Sequence, residues 1–204
     1  MIAVLDYGVG NLCSLTSALN YIGADTVVTS DKQIIESADK IILPGVGAFG
    51  DAIAKLRASG LDEIVTEQAS RGKPIMGICL GMQLLYERSF EYGEHRGLGL
   101  IKGDIRPLTQ ELLGGPLKVP HMGWNKLEAK TQCPLLLNFR DGDFVYYVHS
   151  YFAAVSPDTV ALSRYGDAEI TGVVQRDNVF GAQFHPEKSG EAGLGILRAF
   201  VGLM

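Results

Sequence analysis

The chain has 204 residues, 47% of them hydrophobic, with a mean hydropathy of +0.14, enough apolar material for one well-cored domain expected to span residues 1–204. A net charge of −5, with the 18 Lys and Arg scattered rather than clustered, argues against a nucleic-acid partner, and no stretch reaches the roughly 18 apolar residues of a membrane span. Three cysteines without close pairing indicate neither a disulfide framework nor a thiolate zinc site, and the apolar start Ile2–Leu5 is too short for a signal peptide, so a cytoplasmic protein without metal is expected.

In chain order, the first half alternates short apolar runs with helical patterns. A strand at Ile2–Leu5 runs into the loop Asp6-Tyr7-Gly8-Val9-Gly10-Asn11, then a helix over Leu12–Tyr21, a strand at Thr26–Val28, a short helix near Lys32–Ser37 and a strand at Lys40–Leu43. The loop Pro44-Gly45-Val46-Gly47 follows, then helices around Phe49–Arg57 and Leu61–Arg71 and a strand at Ile75–Ile78. After Arg88 the pattern changes to strand-like pieces near Leu98–Ile105, Leu117–Val119, Phe144–Val148, Ala161–Tyr165, Ile170–Gln175 and Val179–Gln183, before a closing helix at about Glu191–Leu203. Such alternation implies an α/β fold: a mostly parallel open sheet flanked by helices, flavodoxin-like, with additional antiparallel strands in the C-terminal half. Sites in such sheets collect at the carboxyl ends of the strands, where the Gly-rich loops fall. The segments Arg106–Lys118 and Lys130–Asp143 carry no distinctive motif.

The most informative segment is Pro74–Glu87, an apolar strand that breaks at Gly77-Ile78-Cys79-Leu80-Gly81 and restarts as a helix. This is the pattern of a nucleophile elbow carrying a thiol, with free N–H groups at the helix start facing the sulfur. Cys79 alone could equally be an inert core cysteine; the flanking glycines and the strand-to-helix switch favour a reactive one.

A thiol nucleophile needs a base, and the histidines are His95, His121, His149 and His185. His185 is the best placed, directly after an apolar strand in Gln183-Phe184-His185-Pro186-Glu187. In extended chain, residues two apart point the same way, so Glu187 can orient and charge the imidazole. His95 reads as part of a solvated face, and His121 and His149 adjoin loops suited to binding. The Leu80 N–H, immediately after the nucleophile, and an N–H from the Pro44–Gly47 loop are natural donors for an oxyanion. Gly45 and Gly47 give that loop freedom to reorganise.

Gly77-Ile78-Cys79-Leu80-Gly81-Met82-Gln83 together with His185-Pro186-Glu187 resembles the Cys-His-Glu class I glutamine amidotransferases. The segments Asp6–Asn11, Pro44–Phe49, Pro120-His121-Met122-Gly123-Trp124-Asn125 and Tyr146-Tyr147-Val148-His149-Ser150-Tyr151 are similar to one branch of that family, the glutaminase subunits of imidazole glycerol phosphate synthases. The resemblance implies that Cys79 attacks the side-chain amide of glutamine with His185 as acid–base catalyst and Glu187 behind it, forming a glutamyl thioester without any cofactor. It further implies Val46 as the loop residue of the oxyanion hole beside Leu80, and Gly47, Gln83, His149, Ser150 and Tyr151 as the glutamine pocket. It places Asn11, Trp124, Tyr146 and Lys188 near a partner, the cyclase subunit, a (β/α)₈ barrel that uses the ammonia in histidine biosynthesis as half of a heterodimer.

Taken singly, several of these residues have plainer readings: Gln83 as helix surface, Tyr146 and Tyr147 as strand core aromatics, and Trp124, in a Gly-rich loop, as either an interface anchor or a core aromatic. Three other functions remain open at this stage. A stand-alone peptidase or gamma-glutamyl hydrolase could use the same elbow, as could an amidotransferase subunit of another pathway. A non-catalytic flavodoxin-like module would read Gly8-Val9-Gly10-Asn11 as a phosphate loop, although it lacks a third glycine in register.

Overall fold

The computed structural model describes residues 1–112 and 117–203, so part of the motif-poor segment Arg106–Lys118 lies outside the described residues. In chain order the elements are β1 (Ile2–Leu5), α1 (Leu12–Tyr21), β2 (Thr26–Thr29), α2 (Lys32–Ser37), β3 (Lys40–Leu43), α3 (Phe49–Ala58), α4 (Leu61–Ser70), β4 (Ile75–Ile78) and α5 (Leu80–Leu84). They continue with β5 (Tyr86–Ser89), β6 (His95–Arg96), β7 (Ile101–Pro107), β8 (His121–Lys126), β9 (Glu128–Ala129), β10 (Phe144–His149), β11 (Tyr151–Ala153), β12 (Thr159–Tyr165), β13 (Ala168–Arg176), β14 (Val179–Ala182) and α6 (Gly190–Val201).

The main sheet runs β2-β1-β3-β4-β14-β13-β12-β9. From β2 to β14 the pairings are parallel; those of β13 with β14, β12 with β13 and β9 with β12 are antiparallel. The expected sheet, parallel first and antiparallel towards the C-terminal half, is what forms. Because β1, β3 and β4 are covered on both faces, their sequences are nearly continuous apolar runs whose alternate residues enter different cores, whereas the edge strand β2 leaves Val28 exposed. Ala3, Leu5, Ile41, Leu43 and Ile75 pack with Ile53, Leu56, Ile64 and Val65 of α3 and α4, whereas Ile2, Val4, Ile42, Met76 and Phe180 pack with Leu15 and Leu19 of α1 and Ile196 and Phe200 of α6. A smaller sheet, β11-β7-β5-β6, and the ribbon β10-β8 stand beyond the carboxyl ends of these strands and wall the site.

The structure corrects several sequence expectations. The helix after Cys79 ends at Leu84, because Leu98 and Ile101 donate to the Leu84 and Leu85 carbonyls and Tyr86 opens β5. Leu117–Val119 is no strand: Pro120 has no N–H with which to continue a ladder. Trp124 lies in strand β8 rather than a loop, paired with Tyr146 of β10. His95 is half-buried, its ring beside Phe49 and over Gly50, rather than on a free solvated face.

Candidate active site

Cys79 follows the last residue of β4, and His185 follows β14, the neighbouring parallel strand, in which Ala182 is level with Ile78. The Cys79 N–H donates to the Ala182 carbonyl (2.8 Å), tying the two strand ends together. Its backbone sits at φ +54°, ψ −112°, a region that L-residues rarely occupy and that is strained unless the surroundings enforce it. Two glycines supply that enforcement by letting backbone close on backbone. A Cβ at Gly81 would lie 1.9 Å from the Leu43 carbonyl oxygen, and one at Gly77 would lie 2.6 Å from the Gly81 oxygen. The α5 helix that starts at Leu80 has five residues, so its dipole is small; its contribution is the unpaired N–H groups of its first turn.

His185 meets Glu187 as expected, Nδ1 to Oε1 at 2.8 Å, with both side chains nearly inaccessible. The route differs from the extended chain read from the sequence. Pro186–Lys188 forms a 3₁₀ turn, with Pro186 at its first position and the Lys188 N–H and Ser189 hydroxyl donating to the His185 carbonyl at 3.0 and 2.6 Å. The turn replaces an extended segment because these two donors close it. Burial pushes the His185 imidazole down, but the Cys79 thiol and the Glu187 carboxylate together outweigh burial and raise it to about 10. With Nδ1 occupied by Glu187, Nε2 is the nitrogen left to serve the sulfur.

Cys79 and His185 open on a cavity of about 320 Å³ also lined by Val46, Gly47, Leu80, Gln83, His149, Ser150 and Tyr151, so every residue expected in the oxyanion hole and glutamine pocket is brought together. The Pro44–Gly47 loop has one fixed and one free end. The Tyr7 hydroxyl donates to the Pro44 carbonyl (2.7 Å), and a Cβ at Gly45 would strike the Gly81 nitrogen at 2.8 Å; Val46, by contrast, is 41% exposed and Gly47 stands at φ +97° with nothing near it.

Three residues of this cavity were missed in the sequence: Glu91, Pro120 and Val148. Glu91 is the consequential one, since it brings a carboxylate into the wall. Its oxygen accepts from the Phe49 N–H (2.6 Å), and burial lifts its carboxyl above the usual carboxylate range against that bond. It sits in an unremarked turn after β5, where no local pattern marks it.

His121 and His149 are buried and in contact, Nδ1 to Nε2 at 3.0 Å. Burial depresses both, His121 to about 4 and His149 to about 3, so both are neutral at neutral pH. The Tyr151 carbonyl can only accept, so His149 carries its proton on Nδ1 (3.0 Å); its Nε2 then accepts from His121 Nδ1, and His121 Nε2 accepts from the Asn125 amide (3.3 Å). Gln83, expected on the pocket, is buried rather than on a helix surface.

The residues placed near a partner fall outside the cavity. Trp124 is 56% exposed, ruling out a core position, and packs edge-on to Tyr146 (6.0 Å between centroids), over which Lys188 Nζ also lies at 6.0 Å. Strand alternation turns Tyr147 inward, fully buried, and Tyr146 outward; Met122 and Phe144 are exposed on the same ribbon. Asn11 caps α1 and lines a small cavity beside His185 and Glu187. Among the described residues no group of three or more His, Cys, Asp or Glu could hold a metal ion, and no helix is long and apolar enough to cross a membrane.

Comparison with known proteins places this geometry in a family. The family described as glutamine amidotransferase class-I matches residues 3–202. The imidazole glycerol phosphate synthase subunit HisH of Bacillus cereus is 51% identical over 205 residues, covering 100% of this chain and 95% of that protein. The subunit of the same name from Oceanobacillus iheyensis is 47% identical, covering 98% of each chain. A crystal structure of a glutamine amidotransferase, at 19% identity, superposes with a TM-score of 0.74 over 99% of both chains and so shares the fold. The chain belongs to the class I glutamine amidotransferase family.

Proposed function

We propose that this chain, a class I glutamine amidotransferase, is the glutaminase subunit of an imidazole glycerol phosphate synthase, hydrolysing glutamine to glutamate and ammonia and passing the ammonia to a cyclase subunit in histidine biosynthesis. The observation that carries the reading is the convergence of Cys79 with the Glu187-backed His185 on one cavity. About 320 Å³ is at the low end of the roughly 300–1,000 Å³ usual for small-molecule sites, which suits a free amino acid better than a peptide. Full-length similarity to the HisH subunits supports the choice of pathway.

The reaction follows from the groups present. The Cys79 thiolate attacks the side-chain amide carbon, the C–S bond forms and the carbonyl π pair moves to oxygen, where the Leu80 N–H and a donor from the Val46 peptide receive it. His185, protonated beside Glu187, gives its proton to the amide nitrogen as the C–N bond breaks, releasing ammonia and leaving a thioester. A water then attacks the thioester, His185 takes its proton, and the C–S bond breaks to give glutamate and the thiolate with its imidazolium. Glu91 offers a carboxylate for the substrate's ammonium, and Gln83, His149, Ser150 and Tyr151 enclose the rest of the amino acid.

Ammonia released into water is protonated and lost as a nucleophile, so a consuming active site has to be adjacent. The apolar group of exposed Trp124, Met122 and Phe144 with half-buried Tyr146, and Lys188 beside it, is the face assigned to the cyclase. The test is steady-state turnover of amide-¹⁵N glutamine by the isolated chain and with the cyclase and its nucleotide substrate. Slow basal glutamate formation, strong stimulation by the loaded cyclase and ¹⁵N in the imidazole product are expected; equal ammonia release with and without the partner overturns the coupling.

A further inference from the structure

Gln183 is fully buried just beyond β14 and has no part in the reaction as written above. Its amide is oriented by constraints that begin at the Tyr151 carbonyl, which can only accept. The Gln83 group facing that oxygen is therefore its nitrogen, Nε2, at 2.9 Å. The same Nε2 donates its second hydrogen to the Gln183 oxygen at 3.0 Å. With its oxygen turned to Gln83, Gln183 presents its own Nε2 to Cys79, 3.9 Å from the sulfur. One backbone carbonyl thus fixes two amides in series, and the second ends on the nucleophile. The backbone of Gln183 is held independently, its N–H donating to the Gly172 carbonyl at 2.9 Å.

The sulfur has an opposing neighbour. The Val148 carbonyl also lies 3.9 Å from it and can only accept, so it favours the protonated thiol. A donor at the same range favours the thiolate, since hydrogen bonds to a charged form stabilise that form, most effectively where water is excluded. The titratable groups around the sulfur are His185 with Glu187 behind it and, across the cavity, His149, Tyr151 and Glu91.

We propose that Gln183 is a further catalytic residue: its Nε2–H, aimed by the Tyr151–Gln83 series, stabilises the Cys79 thiolate against the Val148 carbonyl and works alongside His185. The proposal rests on the glutaminase reading only for the kinetic arm of its test. It names a role for a residue that the triad logic does not require.

The test is the pH dependence of Cys79 alkylation by iodoacetamide in the full-length chain, read by peptide mass spectrometry, with the Cys13 and Cys133 peptides as internal references. Gln183→Glu keeps an oxygen for Gln83 to donate to and replaces the donor with a negative charge; Gln183→Met removes the amide. The Cys79 alkylation midpoint is expected to rise by about one pH unit in Gln183→Met, a tenfold loss of thiolate at fixed pH, and further in Gln183→Glu. Glutamine turnover is expected to lose about tenfold in kcat with KM within about twofold. Wild-type midpoints in both variants overturn the proposal, as does a raised KM with unchanged kcat. If Gln183→Met does not fold, as judged by near-ultraviolet circular dichroism, the uncharged and shorter Gln183→Asn, which withdraws the donor from the sulfur, decides in its place, a wild-type midpoint again overturning the proposal. A wild-type chain that released no ammonia from glutamine would remove the functional reading while leaving the alkylation midpoints to decide the role of Gln183.

Discussion

His121 donates from Nδ1 to His149 Nε2 across 3.0 Å in a buried site, and the pair is neutral because burial, and for His149 also the neighbouring His121, depress both imidazoles. The unfolded chain takes up two protons below its histidine pKa of about 6.5 that the native chain refuses until about pH 4 and about pH 3. Stability from this pair is therefore complete above pH 6.5 and falls as pH drops, by up to about 1.4 kcal/mol per pH unit for each imidazole. His185 has the opposite sign: raised to about 10, it contributes most below pH 6.5 and loses its contribution as pH climbs to about 10. Denaturant titrations of wild type and His121→Gln at pH 7, 6 and 5 check this, the variant showing the shallower acid slope; identical slopes would refute it.

Cys79→Gly is expected to separate activity from stability. At φ +54° and ψ −112° a glycine is unstrained where the cysteine is not, so relief of about 1 kcal/mol or more offsets the loss of a small buried side chain. Glutaminase activity should vanish while the melting temperature stays at or above that of Cys79→Ala. A Gly variant melting below the Ala variant would show that the elbow is not strained.

Gly81→Ala should be among the most damaging single changes. The added methyl would stand 1.9 Å from the Leu43 oxygen and 2.8 Å from its carbon, both backbone atoms of a central strand that has no room to retreat. A loss above about 3 kcal/mol is expected, against about 1 kcal/mol for Gly72→Ala, where φ is +86° but no atom is near. Urea unfolding of the two variants compares them directly.

Glu91→Gln removes the carboxylate from the cavity but keeps an oxygen for the Phe49 N–H. If that carboxylate receives the substrate ammonium, KM for glutamine rises about 10- to 100-fold with kcat nearly unchanged, the loss of one charge-assisted hydrogen bond. An unchanged KM would move the ammonium elsewhere in the pocket.

Glu187→Gln should let the His185 imidazole fall towards its ordinary range, because burial is then opposed by Cys79 alone. Nuclear magnetic resonance titration of His185 reads the fall directly, and kcat is expected to drop by about 10²–10³. A His185 titration unchanged by the substitution would contradict the pairing.

The extents of β1, α1, α2, β3 and β4 were legible because each is a short apolar run or helical face bounded by Gly, Pro, Asn or Asp, and the elbow was legible because its two glycines bracket the cysteine. Strand β8 was not: His121-Met122-Gly123-Trp124-Asn125-Lys126 has little apolar contrast, and what makes it a strand is pairing with β10, in which Val145 pairs with Asn125. The short α5 was read too long for a similar reason, since its end is set by donors from Leu98 and Ile101.

The sequence by itself picked out Cys79, His185 and Glu187 as the residues to look for, because a strand-to-helix elbow brackets the cysteine and two positions of separation keep Glu187 beside His185, although the 3₁₀ turn that joins that pair was not legible in it. It also gave the class of sheet, but the parallel pairing of β14 with β4 that sets those turns side by side came from the tertiary structure. The tertiary structure alone decided that Glu91 enters the pocket wall, that His121 and His149 share one proton order, and that Gln83 and Gln183, 100 residues apart, align an amide on the sulfur. These are relationships between polar groups on separate elements, fixed by which donor and acceptor are left facing each other once the strands have packed.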